Sequence, residues 1–136
     1  MRRPAPKREE SEPRPGLHAG KSVLVVDDEI HVRRFVKTVL ERAGLRVLEA
    51  EDGLDALRVL DTLKPDLLLT DIVMPGMDGV ALAKPVIGEL PDLPVLLMSG
   101  CISEPGQALN ATAFIRKPFA PAELVETVTR KLRANR

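Results

Sequence analysis

The sequence predicts an α/β fold, a doubly wound five-stranded parallel sheet with helices on both faces. Three observations carry that prediction. Short apolar runs without polar alternation, such as Val23-Leu24-Val25-Val26 and Leu67-Leu68-Leu69, read as strands buried on both sides. Between them lie segments whose apolar residues keep a three-and-four spacing, the mark of a helix with one packed face. Strands that alternate with helical segments need crossover connections, and crossovers build parallel sheets.

Each element follows from local chemistry. Val23 to Val26 is the first strand, and the next helix carries Val32, Phe35, Val36, Val39, Leu40 and Ala43 on one face. Gly44 stops it, as glycine does just past a helix end. Leu45 to Ala50 is a second strand, interrupted by Arg46 and Glu49, which places it at or near an edge. Leu54 to Leu63 is a second helix with Leu57, Leu60 and Leu63 available for burial, closed by Pro65. Asp66 to Asp71 is the third strand. The third helix runs from Val80 to about Leu90 with Pro85 inside it, a cost of roughly 3 kcal/mol unless the helix kinks or starts there. Pro94 to Met98 and Ala113 to Arg116 are the last two strands. Pro121 opens a final helix with Leu124, Val125, Val128 and Leu132 on one side. Between the last two strands, Pro105 and Gly106 leave room for about a turn or two of fourth helix.

Composition bounds the function. The chain has 136 residues, the size of one domain. Residues 1–20 carry four prolines and a mixture of charges with Leu17 almost the only sizeable apolar side chain after Met1, so they read as a disordered arm or linker, leaving 21–136 as the folded domain. Lys plus Arg and Asp plus Glu number 20 each, with no Trp or Tyr, so neither a basic stripe nor stacking aromatics support nucleic-acid binding. The apolar runs are too short to span a bilayer, and Arg2-Arg3 is followed by no hydrophobic stretch, so the cytoplasm is the expected location. Cys101 is the single cysteine, which precludes an internal disulfide and suits a reducing compartment.

In a parallel sheet, residues that follow the strands converge on one rim, the edge where open α/β folds place their chemistry. Here they are Asp27 and Asp28, Asp71, Ser99 and Lys117. A single aspartate after a strand is ordinarily a loop residue or a helix cap, but acids, a hydroxyl and an ammonium at four strand ends form a constellation no loop requires. Two carboxylates about 4 Å apart repel by roughly 4 kcal/mol at an effective dielectric near 20, which proton uptake or a divalent cation relieves. An all-oxygen set suits magnesium better than zinc. The turn Asp27-Asp28-Glu29 would repel a bare phosphate, so the site wants a metal first and then a phosphoryl group. Asp71 has the surroundings for nucleophilic attack on phosphorus: the cation and Lys117 offset charge, and Ser99 donates a hydrogen bond. Other titratable groups have plainer readings. Asp52, Gly53 and Asp55 cap the second helix, Asp78 and Gly79 shape a loop and start the third, His31 is solvated, and Met74, Met77 and Met98 pack.

Val-Val-Asp27-Asp28, Asp71-Ile-Val-Met-Pro-Gly-Met-Asp-Gly79, Leu-Met-Ser99-Gly and Lys117-Pro118-Phe together resemble the receiver domain of two-component response regulators, over about residues 22 to 134. The resemblance implies a flavodoxin-like strand order 2-1-3-4-5 and Asp71 as phosphoacceptor. It implies Asp28, Asp71 and the Val73 backbone carbonyl as direct Mg2+ ligands, with Asp27 acting mostly through water. Ser99 matches the hydroxyl that follows the phosphoryl group, Lys117 the catalytic ammonium, and Lys117-Pro118 a cis peptide. Phe114 stands at the rotating aromatic switch position without a tyrosine hydroxyl. Val73 and Cys101 stand where the family can hold water-aligning acids or amides, so slow self-dephosphorylation is expected.

The implied partners are a sensor histidine kinase or a histidine phosphotransfer protein upstream and an unidentified protein downstream, with no nucleic acid and no membrane. The shortened fourth helix disfavours the family's usual dimer, and a monomer is expected. No output domain follows the last helix, so the chain reads either as a free-standing receiver or as the C-terminal receiver of a hybrid histidine kinase. On this reading it is a signalling module and not a turnover enzyme. An Asp-nucleophile phosphohydrolase is the rival, but it needs a second acid two residues past the nucleophile, where Val73 stands. A degenerate receiver that serves only for docking is disfavoured by the complete acidic set.

Overall fold

The computed structural model describes residues 20–100 and 113–134. Strand β1 (Ser22–Val26) leads through α1 (Ile30–Arg42) to β2 (Arg46–Ala50) and α2 (Gly53–Thr62). Then follow β3 (Leu67–Asp71), α3 (Gly79–Glu89), β4 (Val95–Ser99), β5 (Ala113–Arg116) and α4 (Pro121–Ala134). Every strand pairing is parallel, and the order is β2-β1-β3-β4-β5. The winding reverses between β1 and β3, so the carboxyl ends of those two strands flank the crevice where such sheets bind ligands.

Side chains alternate across the sheet and build two cores. Val23, Val25, Leu67, Leu69, Leu96 and Met98 pack with Val36 and Leu40 of α1 and with Leu124, Val128 and Leu132 of α4. Leu24, Val26, Leu68, Val95 and Leu97 pack on the other face with Ala56 and Leu60 of α2 and with Leu82, Ala83 and Val86 of α3. β3 and β4 are buried along their whole length, as their unbroken apolar runs require. β2 is an edge strand, as β5 is on the other side, and its first residue Arg46 is exposed.

The helix ends follow the sequence closely. Gly44, at φ +94°, takes the left-handed conformation that closes α1. Asp52 accepts from the Asp55 amide at 2.8 Å to cap α2, and Asp78 accepts from the Ala81 amide at 2.8 Å to cap α3. Pro85 does not start a helix, since α3 runs through it. Both Pro85 and Ala81, whose carbonyl loses its donor, are exposed, so solvent is at hand for the vacated bond.

Two helical positions depart from expectation. Phe35, assigned by spacing to the packed face of α1, is 44% exposed and stacks on Phe119 with ring centroids 6.5 Å apart. Leu63 falls one residue past α2 and is exposed, while Ala56 takes its place in the core. No helix among the described residues is long and apolar enough to cross a membrane. The N-terminal arm, the proposed fourth helix between β4 and β5, and Cys101 lie outside the described residues.

Candidate functional site

The rim gathers the residues picked out from sequence. Asp27 follows β1, Asp71 ends β3, Ser99 ends β4 and Lys117 follows β5. Asp27, Asp71 and Ser99 are buried, whereas Asp28 faces solvent. One carboxylate oxygen from each of Asp27, Asp28 and Asp71 lies within 4.8 Å of the others. The Lys117 ammonium reaches in from the opposite side, 3.1 Å from Asp71 Oδ1 and 3.3 Å from Asp27 Oδ2. The Lys117-Pro118 peptide is cis, as the resemblance implied.

Asp27 is held at every polar atom. Its amide donates to the Ala50 carbonyl at 3.3 Å, and its Oδ1 accepts from the Glu29 amide at 2.9 Å. Its Oδ2 takes the Lys117 ammonium, and its carbonyl accepts from Arg33 Nη1 at 2.6 Å. Asp71 is set from the backbone side: the Thr70 hydroxyl donates to its carbonyl at 3.0 Å, and the Ile72 amide donates to the Met98 carbonyl at 3.1 Å. The loop beyond it then folds back closely. Gly79 donates to the Ile72 carbonyl at 2.8 Å, and a Cβ on Gly79 would collide with the Asp71 carbonyl oxygen. Only glycine permits that approach.

The charges do not balance, with three carboxylates against one ammonium. Burial pushes the Asp71 carboxyl above its usual range; the Lys117 charge opposes that and the Asp27 charge adds to it, and the result remains raised. Burial pulls the Lys117 ammonium down, but Asp27 and Asp71 outweigh it, so Lys117 stays charged and sits above its usual value. The surplus of negative oxygen, part buried and part open to solvent at Asp28, is the environment a hard divalent cation relieves. Among the described residues the donors of the cluster are all carboxylate oxygens, a set that fits Mg2+ and not a thiophilic metal.

The family model for the response regulator receiver domain matches residues 23–129. The chain belongs to that family. This receiver domain is 37% identical over 120 residues to the phosphate regulon transcriptional regulatory protein PhoB of Pseudomonas aeruginosa, covering 84% of this chain and 52% of the relative. It is 35% identical over 117 residues to the alkaline phosphatase synthesis transcriptional regulatory protein PhoP of Bacillus subtilis, covering 83% of this chain and 49% of that one. The chain thus spans about half the length of these relatives. Among solved structures, the chemotaxis protein CheY4 of Vibrio cholerae superposes with a TM-score of 0.76 at 33% identity, covering 83% of this chain and 99% of its own. The Francisella response regulator 1452 receiver domain superposes with a TM-score of 0.78 at 29% identity, covering 86% and 100%.

Two sequence-derived residues are exposed: Val73, expected to offer its backbone carbonyl and not its side chain, is 72% exposed, and Phe114 is 43% exposed on β5. The Ser99 hydroxyl has no hydrogen-bond partner among the described residues. Conversely, Arg33 and Glu49 support the acidic turn, although Arg33 belongs to no motif and Glu49 reads from sequence only as a strand interruption. The signal that could have found Arg33 is its place one helical turn beyond a pair of acids.

Proposed function

We propose that this receiver accepts a phosphoryl group from a phosphohistidine on a sensor histidine kinase or a histidine phosphotransfer protein. The phosphorus–nitrogen bond of the donor breaks as a phosphorus–oxygen bond forms to an Asp71 carboxylate oxygen, and the electron pair returns to the imidazole. The single observation that carries this reading is the juxtaposition of Asp71 with Asp27, Asp28 and Lys117 at one crevice. Asp27, Asp28, Asp71 and the Val73 carbonyl would hold Mg2+, which supplies charge neutralisation on the phosphoryl oxygens when bound. Lys117 keeps its proton throughout and offsets charge on the same oxygens. Ser99, whose hydroxyl at the end of β4 has no partner among the described residues, can donate to a phosphoryl group on Asp71, and Phe114 can respond by ring burial alone. The exposed, apolar Val73 offers no group to align a water molecule, which supports a long-lived acyl phosphate.

The donor has a surface to sit on beside the acceptor. A largely apolar groove of about 540 Å³, lined by His31, Val32, Phe35, Pro118 and Phe119, runs up to Lys117. An exposed phenylalanine stacked on a half-buried one next to a reactive rim is what a transient partner covers. That use accounts for Phe35 lying outside the core. On this reading the domain acts in the cytoplasm as a signalling module that works once per signal, and a downstream protein reads the added charge.

The test is phosphorylation by acetyl phosphate and by a panel of phosphohistidine donors in Mg2+. The wild-type chain should gain one hydroxylamine-labile phosphoryl group, and the Asp71→Asn variant and EDTA-treated protein none. Label retained in the Asp71→Asn variant would overturn the assignment of the acceptor. Steady release of phosphate from phosphomonoesters would overturn the signalling reading.

A further inference from the structure

Arg33 is the least exposed arginine among the described residues, its side chain being 12% accessible. It lies one turn into α1 and reaches back, Nη1 to the Asp27 carbonyl at 2.6 Å and Nε to Glu49 Oε1 at 3.0 Å. Asp27, in the turn it reaches, is also held through its amide and its carboxylate, but among the described residues Arg33 is the one side chain from outside the turn that hydrogen-bonds to the turn's backbone. Glu29, at the N-cap of α1, makes no side-chain capping bond, so the amides at the start of that helix lack the usual anchor. Asp27 is itself fully buried, and its carbonyl lies where the chain leaves the sheet.

We propose that Arg33, held in place by Glu49 on the edge strand, is a positioning residue that fixes the Asp27-Asp28 turn for a divalent cation. This rests on the reading of the acidic cluster as a cation site. A guanidinium suits the task because its planar fork serves two acceptors at once, one on β2 and one on the turn, which a lysine ammonium does not reproduce. Glu49 neutralises the added charge, so the clamp braces an anionic site without filling it. Partners behind metal ligands commonly govern affinity by about 10–100-fold through orientation alone.

Orientation and charge predict opposite signs. Removing a positive group near a cation site should tighten binding if only electrostatics acts, and weaken it if the arginine holds the ligands in place. Mn2+ binding to the full chain, followed by EPR of the free ion, separates the two. The Arg33→Gln variant should bind Mn2+ about tenfold more weakly, and Arg33→Lys should also weaken binding although it keeps the charge. Glu49→Ala, on a part-exposed edge strand that tolerates truncation, should show a smaller loss in the same direction. Arg34→Ala should bind as wild type, since its side chain is 64% exposed and 3.9 Å from Glu49. Thermal melts without metal accompany each variant, because a purely structural arginine would lower Tm and leave the Mn2+ affinity unchanged. Unchanged or tighter binding in folded Arg33→Gln, or in Glu49→Ala should the former not fold, would overturn the clamp alone. Wild-type protein that takes up no Mn2+ would overturn the cation-site reading and the clamp with it.

Discussion

On the β1–β3 side of the rim, Asp27 commits its amide, its carbonyl and both carboxylate oxygens to partners within the protein. On the β4–β5 side, the Ser99 hydroxyl has no partner among the described residues and Phe114 is nearly half exposed. The difference matches the two tasks proposed for the site. Acids that must receive a cation and a phosphoryl group gain from being fixed in advance, since nothing then has to reorganise as charge arrives. A hydroxyl and a ring that must register the new charge have to be left free to move.

Freeing the fixed acids from the ammonium they share should have the largest effect. Replacing Lys117 by alanine removes the cation that faces Asp71, and the rate of phosphorylation by acetyl phosphate should fall roughly 100-fold; a rate within twofold of wild type would show that the ammonium is not part of the chemistry. Next comes Gly79→Ala, which forces a methyl group against the Asp71 carbonyl and should lower unfolding free energy by about 1–3 kcal/mol. Denaturant unfolding measures it, and an unchanged midpoint would mean that the loop has slack the packing does not suggest.

The third prediction concerns pH. A carboxyl raised by folding keeps its proton longer in the folded state than in the unfolded one, so the metal-free protein loses stability as pH climbs from the ordinary carboxylate range through the raised value of Asp71. The Asp71→Asn variant lacks that loss. It should melt a few degrees higher than wild type at neutral pH in EDTA, with the gap closing in acid. Lys117, also raised, contributes stability below its usual value that disappears only as alkaline pH strips its proton. A gap that widens toward acid would reverse the sign assigned to Asp71. The smallest effect is expected on the free side: Ser99→Ala removes a hydroxyl with no described partner, so stability should change by less than about 0.5 kcal/mol. Phosphorylation should persist in that variant while the partner response weakens, and a large stability loss would show that the hydroxyl is tethered after all.

Much of this arrangement is legible in the letters. The Val and Leu runs end on Asp27, Asp71 and Ser99, and a parallel sheet brings such ends to one edge whatever the loops do, so the cluster follows from strand polarity alone. The capping roles of Asp52 and Asp78 are local and were equally readable. The Arg33–Glu49 pair is not, because it depends on how α1 lies over β2, and an arginine in an amphipathic helix ordinarily reads as solvated. Phe35 is misplaced for a related reason. Helical periodicity assigns it to an apolar stripe, but Phe119, a residue 84 positions later, meets it at the margin of the core.

The run Leu67-Leu68-Leu69 offers the same side chain to both cores. A slip of one residue along β3 would therefore present leucine to leucine, and greasiness alone would barely notice the error. A slip that draws the strand inward would take the carboxyl group at its end among hydrocarbon, and that cost opposes it. The acid that makes the metal-free fold less comfortable is thus also the stop that aligns its central ribbon, and an aliphatic replacement there would be expected to blur the alignment as well as silence the chemistry.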